Sequence, residues 1–247
     1  GWMIWEFTLK IDSPPAIGYS RQFGASMVLF NYATKEITAK IVYYGPGLCG
    51  KTTNLQFVYD SLPSNNRSKM LSLATKTDRT LFFDFLPIDL GELRGLKTRV
   101  QLYTVPGQVI YNATRQLVLR SADGIVFVAD SQWDKMEENV ESFKNLQENL
   151  ARQGASLDTL PYVLQYHKRD MPNPAPQHYL DFVLNTRRVR VPSFPSVAAN
   201  GQGVFGTLNA VSRLLLQKFA KEQEQSAAKG PRGHTSLSGI GSTPTRR

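Results

Sequence analysis

A glycine-rich segment at residues 43–54, YYGPGLCGKTTN, has residue types and a spacing that suit the binding of phosphate. Gly45, Gly50, Lys51 and Thr52 match the pattern G-x-x-x-x-G-K-[S/T]. Glycines let backbone N–H groups turn inward around phosphate oxygens, the lysine ammonium reaches the β and γ phosphates, and the threonine hydroxyl is a ligand for Mg2+. The segment therefore predicts a nucleotide-binding loop, with candidate contacts at Gly45, Gly47, Leu48, Cys49, Gly50, Lys51, Thr52 and Thr53.

The surroundings of this loop support the motif. A β-branched run at 37–44 precedes it and a helix-like segment follows, as the strand–loop–helix context requires. The loop alone specifies neither the base nor the fate of the γ-phosphate. Two later motifs bear on both questions: VPGQ at 105–108 follows the strand-like TRVQLYT, and HKRD at 167–170 follows the strand-like LPYVLQY.

The three motifs, in this order and at these strand ends, resemble those of the Ras-like small GTPases, whose patterns include D-x-x-G-Q and N-K-x-D. The resemblance implies that Gly107 senses the γ-phosphate. It also implies that Gln108 orients the attacking water, because an amide can accept from water while donating to transition-state oxygens. Guanine would be held by Lys168, Asp170 and the backbone N–H of Ala198. One carboxylate accepts from guanine N1–H and N2–H2 together, a pairing that adenine does not offer.

Two positions depart from the Ras-like patterns. Thr104 stands where the family has an aspartate that holds Mg2+ through water, so either the metal lacks that charge or another group supplies it. His167 stands where the family has an asparagine. An imidazole can donate to guanine N7 from one tautomer, or it can simply pack beside the loop.

Longer stretches resemble the MglA family of bacterial gliding-motility GTPases: KIVYYGPGLCGKTTNLQ, TDRTLFFDFLP, LYTVPGQVIY, DGIVFVADSQ and QYHKRDMP, over about residues 29–218. That family has TVPGQ, so Thr104 is a family feature, whereas His167 remains a departure. The resemblance implies a switch threonine at Thr80 and an intrinsic arginine finger at Arg79, worth roughly 10³ to 10⁵ in rate, with Asp78 as a helper. The expected catalytic set is Lys51, Arg79, Thr80 and Gln108, with Mg2+ on Thr52 and Thr80.

Strand and helix signals alternate along the chain and must position these residues. LFFDFLP and TRVQLYTV flank a turn-like LGELRG, as in a hairpin, and GIVFVADS reads as a strand buried on both faces. LPYVLQYH is the next strand and SFPSVAA the last. Helical stripes follow, with the apolar residues Met136, Val140, Phe143, Leu146 and Leu150, and then Val204, Leu208, Val211, Leu215 and Phe219. The pattern predicts an α/β fold of the P-loop NTPase class, a central, mostly parallel sheet with helices on both faces, and ligands at the carboxyl ends of the strands.

Composition divides the chain into three parts. Residues 1–26 show no sustained period and are expected to be an extension, disordered or from a non-native start. Residues 27–220 are expected to be the GTPase domain that the resemblance implies. Residues 221–247 are rich in Gly, Ser, Pro and charge, and are expected to be a disordered basic tail. The net charge of +9 includes five Lys/Arg and two Asp/Glu in that tail. No aromatic residues interleave with basic ones, which argues against a nucleic-acid partner.

The single cysteine, the lack of a signal-peptide pattern and the lack of a long apolar run predict a cytoplasmic protein without stable membrane insertion. The expected function is a GTP/GDP switch with slow hydrolysis, whose loops at about 72–84 and 105–114 order around the γ-phosphate. The family resemblance implies a roadblock-type GTPase-activating dimer of the MglB kind, polarity or motility effectors, and recruitment to a cell pole. Phe82, Phe83 and Phe85 are a candidate partner surface. A P-loop kinase and a nucleotide-binding scaffold without turnover remain the alternatives.

Overall fold

The chain is known from a computed structural model that describes residues 29–31, 35–74, 82–93 and 96–228. Eight strands form one sheet in the order β3-β4-β5-β2-β6-β7-β8, with β1 paired to β2 outside that path. The strands are β1 Leu29–Asn31, β2 Glu36–Tyr44, β3 Leu71–Ala74, β4 Phe82–Leu93, β5 Leu96–Thr104, β6 Gly124–Asp130, β7 Tyr162–His167 and β8 Ser193–Pro195. The helices are α1 Lys51–Ser61, α2 Asn112–Leu119, α3 Met136–Ala151, α4 Gln177–Leu184 and α5 Val204–Ala228.

The centre of the sheet is parallel, as predicted. Strand β2 pairs in parallel with β5 on one side and with β6 on the other, and the parallel pairing continues through β7 to β8. Strands β3 and β4 extend the sheet in the antiparallel sense beyond β5. The carboxyl ends of β2, β5, β6, β7 and β8 therefore meet at one edge, together with the start of β4.

The hairpin of β4 and β5 is confirmed, and its strands pair over more residues than the sequence predicts. Pairing continues to Leu93 opposite Leu96, so most of LGELRG is strand. The pairing register shifts between Asp89 and Glu92, where Gly91 takes a positive φ of 82° and donates its N–H to the Asp89 carboxylate. A local irregularity accommodates the glycine without ending the strand, which propensity alone does not reveal.

Helices cover both faces of the sheet, and the alternation of β2 shows how. Ile37, Ala39, Ile41 and Tyr43 belong to a core that helices α1 and α5 cover. Val42 and Tyr44 belong to the opposite core, which α2, α3 and α4 cover. Because successive strand residues point to opposite faces, one strand supplies both cores. Strands β6 and β7 are buried throughout, as expected for central parallel strands.

Two predicted stripes have different outcomes. All five residues of the α5 stripe are buried. In α3, Phe143, Leu146 and Leu150 are buried but Val140 is 45% exposed, so its assignment to the buried face is wrong. Polar residues take much of that face instead: Asn139, Ser142, Asn145 and Asn149 are all buried. The three asparagines hydrogen-bond to neighbouring elements, which lowers the cost of burying them, whereas the Ser142 hydroxyl has no hydrogen-bond partner among the described residues.

Helix α5 runs to Ala228, past the boundary at 220 that composition predicts. The segment 221–228, KEQEQSAA, contains residues of good helix propensity that can prolong a helix already anchored in the core. The expectation of disorder therefore does not apply to these residues. The rest of the tail and the extension 1–26 lie outside the described residues. Among the helices that the structure describes, none has the length and apolar content needed to cross a bilayer.

Candidate functional site at the carboxyl edge of the sheet

The glycine-rich loop connects the end of β2 to the start of α1. Gly45 has a φ of 151° and Gly50 a φ of 97°. A Cβ at position 45 would lie 2.1 Å from the Val128 carbonyl oxygen, and one at position 50 would lie 2.4 Å from the His167 ring. Both the backbone conformation and the space therefore require glycine, which explains the two fixed positions of the motif.

Lys51 lies against the loop to which it belongs. Its side chain is buried, and Nζ donates to the carbonyl oxygens of Gly45 at 3.1 Å and Pro46 at 2.6 Å, with the Cys49 sulfur at 3.6 Å. Burial lowers the pKa of Lys51, and the positive charge of Arg115 lowers it further. Burial also raises the pKa of the Cys49 thiol. None of these contacts is a carboxylate, so an anionic phosphate would be a stronger partner for the ammonium.

The turn that follows β5 touches the phosphate loop directly. A Cβ on Gly107 would lie 2.2 Å from the Cα of Gly47 and 2.6 Å from the carbonyl oxygen of Pro46. Only glycine permits this approach. The structure thus brings the predicted γ-phosphate sensor, Gly107, against the predicted phosphate loop at Gly47, which lies 60 positions earlier in the chain. The parallel sheet brings the two loops to the same edge.

A cluster of oxygen atoms lies beside the start of α1. The Thr52 hydroxyl donates to Asp84 Oδ2 at 2.5 Å, the Thr104 hydroxyl lies 3.0 Å from the same oxygen, and the Ser72 hydroxyl donates to Asp84 Oδ1 at 2.7 Å. The Asp84 N–H donates to the Thr104 hydroxyl at 2.8 Å. The neighbouring strand β4 therefore supplies a carboxylate beside Thr104, where the sequence pattern lacks one.

His167, at the end of β7, joins two loops instead of facing an open pocket. Its Nε2 accepts a 2.9 Å hydrogen bond from the Ala198 N–H, and its ring packs against Gly50. An accepting Nε2 leaves the proton of a neutral imidazole on Nδ1, which is buried close to the backbone of Cys49. Burial lowers the pKa of His167, which favours this neutral form. The Ala198 N–H, expected at guanine O6, is engaged by the histidine in this structure.

Lys168 also has a partner that the sequence reasoning missed. Its Nζ lies 2.6 Å from Asp130 Oδ2 at the end of β6, and the Asp130 side chain is nearly inaccessible. Gln132 donates to the same carboxylate through its N–H at 3.1 Å and its side-chain amide at 3.1 Å. Among the described residues, the Lys168 ammonium therefore pairs with the end of β6. Lys168 itself has a φ of 62°, so its backbone is also held in an uncommon conformation.

The remaining predicted residues are distributed around this edge. Asp170 and Gln108 are exposed, Thr53 is exposed in the first turn of α1, and Leu48 is 92% exposed at the tip of the loop. Phe85 is half-buried and packs on Tyr103 at a ring distance of 4.8 Å. Asp78, Arg79 and Thr80 lie outside the described residues, as do the side chains of Phe82 and Phe83.

Three residues of the site escaped the sequence reasoning. One sequence feature could have identified Asp84: it is the lone carboxylate within the apolar strand LFFDFLP. A weaker feature could have identified Asp130, which is the charged end of the buried strand GIVFVAD. Arg115, fully buried in α2, gave none that distinguishes it from a solvated helix residue.

Comparison with known proteins agrees with this geometry. No model of a protein family matches the chain. The chain is 55% identical over 195 residues to the mutual gliding-motility protein MglA of Myxococcus xanthus strain DK1622, covering 79% of this chain and 99% of that protein. Identity at this level over nearly the whole relative, on a Ras-like sheet with a phosphate loop, shows that this chain belongs to the MglA family of small GTPases, which bind guanine nucleotides.

Proposed function

We propose that the chain hydrolyses GTP slowly and uses the presence of the γ-phosphate to set the conformation of its switch loops. The observation that carries the proposal is the direct contact of Gly107 with Gly47. A third phosphate placed at the loop would meet this turn, so the turn is in position to differ between GTP and GDP. In such a switch, binding energy orders loops that partners then recognise.

Mg2+ is the implied metal, and the residues present fit it. Hydroxyl and carboxylate oxygens are the donors that Mg2+ prefers, and the Thr52 hydroxyl and Asp84 carboxylate lie together at 2.5 Å. Within the described residues no group of three or more His, Cys, Asp or Glu side chains forms a separate metal site. Thr52 and Thr80 would bind the ion, and Asp84 would replace the missing aspartate of the Ras-like pattern. When bound, the ion would neutralise charge on the β and γ phosphates.

Chemistry at the γ-phosphate is assigned to Gln108, Lys51 and Arg79. Gln108 is exposed at the end of the sensor turn, residues 105–108, where its amide can orient water. Lys51 would exchange the carbonyls of Gly45 and Pro46 for phosphate oxygens, which are better acceptors for an ammonium. Arg79 would neutralise charge that develops during transfer. We assign guanine recognition to Asp170, with Lys168 held by Asp130 beside it.

Exposed apolar residues beside the phosphate loop support a protein partner. Leu48 is 92% exposed on the loop and Ile110 is 80% exposed directly after the sensor turn. Exposed apolar side chains at the rim of a nucleotide site favour the binding of a protein partner that recognises the bound nucleotide or adds residues to the site. We propose a roadblock-type activating dimer of the MglB kind here, with polarity or motility effectors recruited to a cell pole as the biological output.

The experiment is to measure phosphate release by the purified chain with Mg2+, from GTP and from ATP, with and without such a dimer. Slow release from GTP alone, accelerated by the dimer, is expected. Guanine nucleotide bound without release in either condition would instead identify a scaffold. Transfer of the γ-phosphate to a small molecule would identify a kinase.

A further inference from the structure

Arg115 is a buried cation at the centre of the site. The residue is 0% exposed, although its helix α2 is only eight residues long. Its Nε donates to the Pro106 carbonyl oxygen at 2.8 Å, and one terminal nitrogen donates to the carbonyl oxygen of Gly107. The other terminal nitrogen donates to Asn145 Oδ1 at 2.7 Å. The guanidinium therefore holds two successive carbonyls of the sensor turn.

Fixing these carbonyls also fixes two N–H groups. A trans peptide is planar, and its N–H points opposite to its C=O. The Pro106 carbonyl shares a peptide with the Gly107 N–H, and the Gly107 carbonyl shares one with the Gln108 N–H; the described chain has no cis peptide bonds. Both N–H groups must therefore point away from Arg115. Neither donates to a protein acceptor within the described ranges, so both are available to a ligand.

The charge of Arg115 has no acidic partner among the described residues. Its hydrogen bonds all end on neutral carbonyl or amide oxygens, and no ion pair involves it. A buried charge without a counter-ion is costly. The positive charge of Arg115 also acts at the phosphate loop. Burial is the largest cause that lowers the pKa of Lys51, Cys49 raises that pKa, and Arg115 lowers it further. A phosphate group at the loop would supply the missing negative charge.

Asn145 of α3 anchors the guanidinium from behind. Its Oδ1 accepts from Arg115, from the Tyr44 hydroxyl at 2.5 Å and from the Asn149 amide at 3.1 Å. Asn145 and Asn149 also donate to Asn112 Oδ1 at the start of α2. Tyr44 is the last residue of β2, and its ring lies 5.1 Å from the guanidinium carbon. The arginine is thus held from α3 by Asn145 and covered by Tyr44 at the end of β2.

We propose that Arg115 is a positioning residue for γ-phosphate recognition, which directs the Gly107 and Gln108 N–H groups and thereby sets the preference of the site for GTP over GDP. This inference rests on the proposed nucleotide switch. Arg115 acts through the turn and does not itself contact the nucleotide. Its loss should therefore affect the nucleotide that carries the third phosphate more than the one that lacks it.

The test is the ratio of two dissociation constants, for GDP and for a non-hydrolysable GTP analogue, measured on the full chain with Mg2+. Arg115→Gln cannot hold both carbonyls and lacks the charge, so the analogue should lose about tenfold more affinity than GDP. Arg115→Lys keeps the positive charge but lacks the planar guanidinium that donates to two carbonyls at once. Its ratio of dissociation constants should lie between those of the wild-type chain and Arg115→Gln. Arg120→Gln, an exposed arginine directly after the same helix, should leave the ratio unchanged.

Equal losses for both nucleotides would overturn the proposal and leave Arg115 a purely structural role. If Arg115→Gln does not fold, as judged by thermal melting, Asn145→Ala decides: it removes one anchor of the guanidinium and should lower the analogue-to-GDP preference about threefold. A ratio of dissociation constants equal to wild type in both Asn145→Ala and Arg115→Lys would also overturn the proposal. Failure of the wild-type chain to bind either nucleotide would refute the proposed function itself, which is a different result.

Discussion

The Thr52 hydroxyl and the Asp84 carboxylate are joined by a 2.5 Å hydrogen bond between the first turn of α1 and strand β4. Asp84 also contacts Thr104, the residue that occupies the place of an aspartate in the Ras-like pattern. A negative charge missing from one strand is therefore supplied by its neighbour. The cluster connects the phosphate loop, β4 and β5 through one carboxyl group.

Asp84→Asn should weaken the effect of Mg2+ on nucleotide release. The amide keeps the shape and one oxygen but removes the charge that supports a bound cation. We expect GDP release from the wild-type chain to be slowed by Mg2+, and this slowing to be reduced about tenfold in the variant, since a hydrogen bond to a charged group is worth roughly 1.5–3 kcal/mol. The measurement is release of a fluorescent GDP analogue with Mg2+ and with EDTA.

The control is Asp60→Asn, which changes an exposed carboxylate in α1. An effect of Mg2+ on GDP release in Asp84→Asn equal to that in the wild-type chain would exclude Asp84 from the metal site.

Gly47→Val should leave the fold intact but block turnover. The nearest atom to a Cβ at Gly47 is the Gly107 carbonyl carbon at 4.0 Å, so the first carbon of the side chain fits. The two additional methyl groups would crowd the γ-phosphate and the sensor turn. We expect nucleotide binding with strongly reduced phosphate release in single-turnover assays. Hydrolysis at the wild-type rate would show that the γ-phosphate does not lie at Gly47.

Arg79→Ala and Gln108→Leu should bind GTP but lose the acceleration by an activating dimer. Each substitution removes a side chain that we propose stabilises the transition state without contributing to the binding of GTP. The affinity for GTP should therefore change little, while stimulated turnover falls by roughly 10³-fold or more. Phosphate release under single-turnover conditions, with and without the dimer, measures this. Stimulation retained in either variant would remove that residue from the catalytic set.

Asp170→Ala should erase discrimination between guanine and hypoxanthine. Inosine nucleotides lack the N2 amino group, so the wild-type chain should bind IDP more weakly than GDP. The variant has no carboxylate to accept from that group, and it should bind both weakly and equally. Asp170 is exposed, so the change should not affect folding. Competition of GDP and IDP against a fluorescent nucleotide gives the result, and a preserved preference for GDP would place base recognition elsewhere.

His167 should make the chain less stable in mild acid. Burial lowers its pKa below the usual value of 6.5, so between that value and the folded pKa the unfolded chain binds more protons than the folded one. The free energy of unfolding should therefore fall as pH decreases below about 6.5. Protonation would also convert Nε2 from an acceptor to a donor and break the bond from Ala198.

The comparison is of melting temperature against pH for the wild-type chain and His167→Asn. The variant has no titrating group at this position, so its melting temperature should fall less between neutral pH and about pH 5. Lys168 and Asp170 on the same segment, and Asp130 from β6, influence the histidine and are present in both proteins. His178→Asn, at an exposed position in α4, should behave as wild type. Parallel curves for His167→Asn and wild type would contradict the prediction.

Much of the site could be predicted because strand ends position it. The phosphate loop, VPGQ and HKRD each follow a strand, and parallel strands bring their carboxyl ends to one edge. Buried strands such as β6 and β7 are recognisable from apolar runs alone. Local sequence therefore determines which segments reach the site.

Asp84 and Arg115 could not be predicted by that reasoning because their roles depend on pairing across distant segments. Asp84 faces Thr52 only because of the register in which β4 pairs with β5, and no local pattern fixes that register. Arg115 is buried because the inward face of α3 carries Asn145 and Asn149, polar residues that a helical pattern would assign to solvent. The sequence allows His167 to be a base contact because the Ala198 N–H that it accepts from cannot be inferred from sequence.

The Lys168–Asp130 pair gives the two ends of the site different responses to ionic strength. Its carboxylate is 2% exposed and the two charges lie 2.6 Å apart, so added salt screens the pair weakly. The geometry around Lys168, where we propose that the base binds, should hold over a wide range of salt. The phosphate end instead combines Lys51 with Arg115, which has no acidic partner in the part of the chain that the structure describes. Its attraction for a polyanion approaching from solvent should weaken as salt rises. Salt should therefore slow nucleotide association more than it alters the selection of the base.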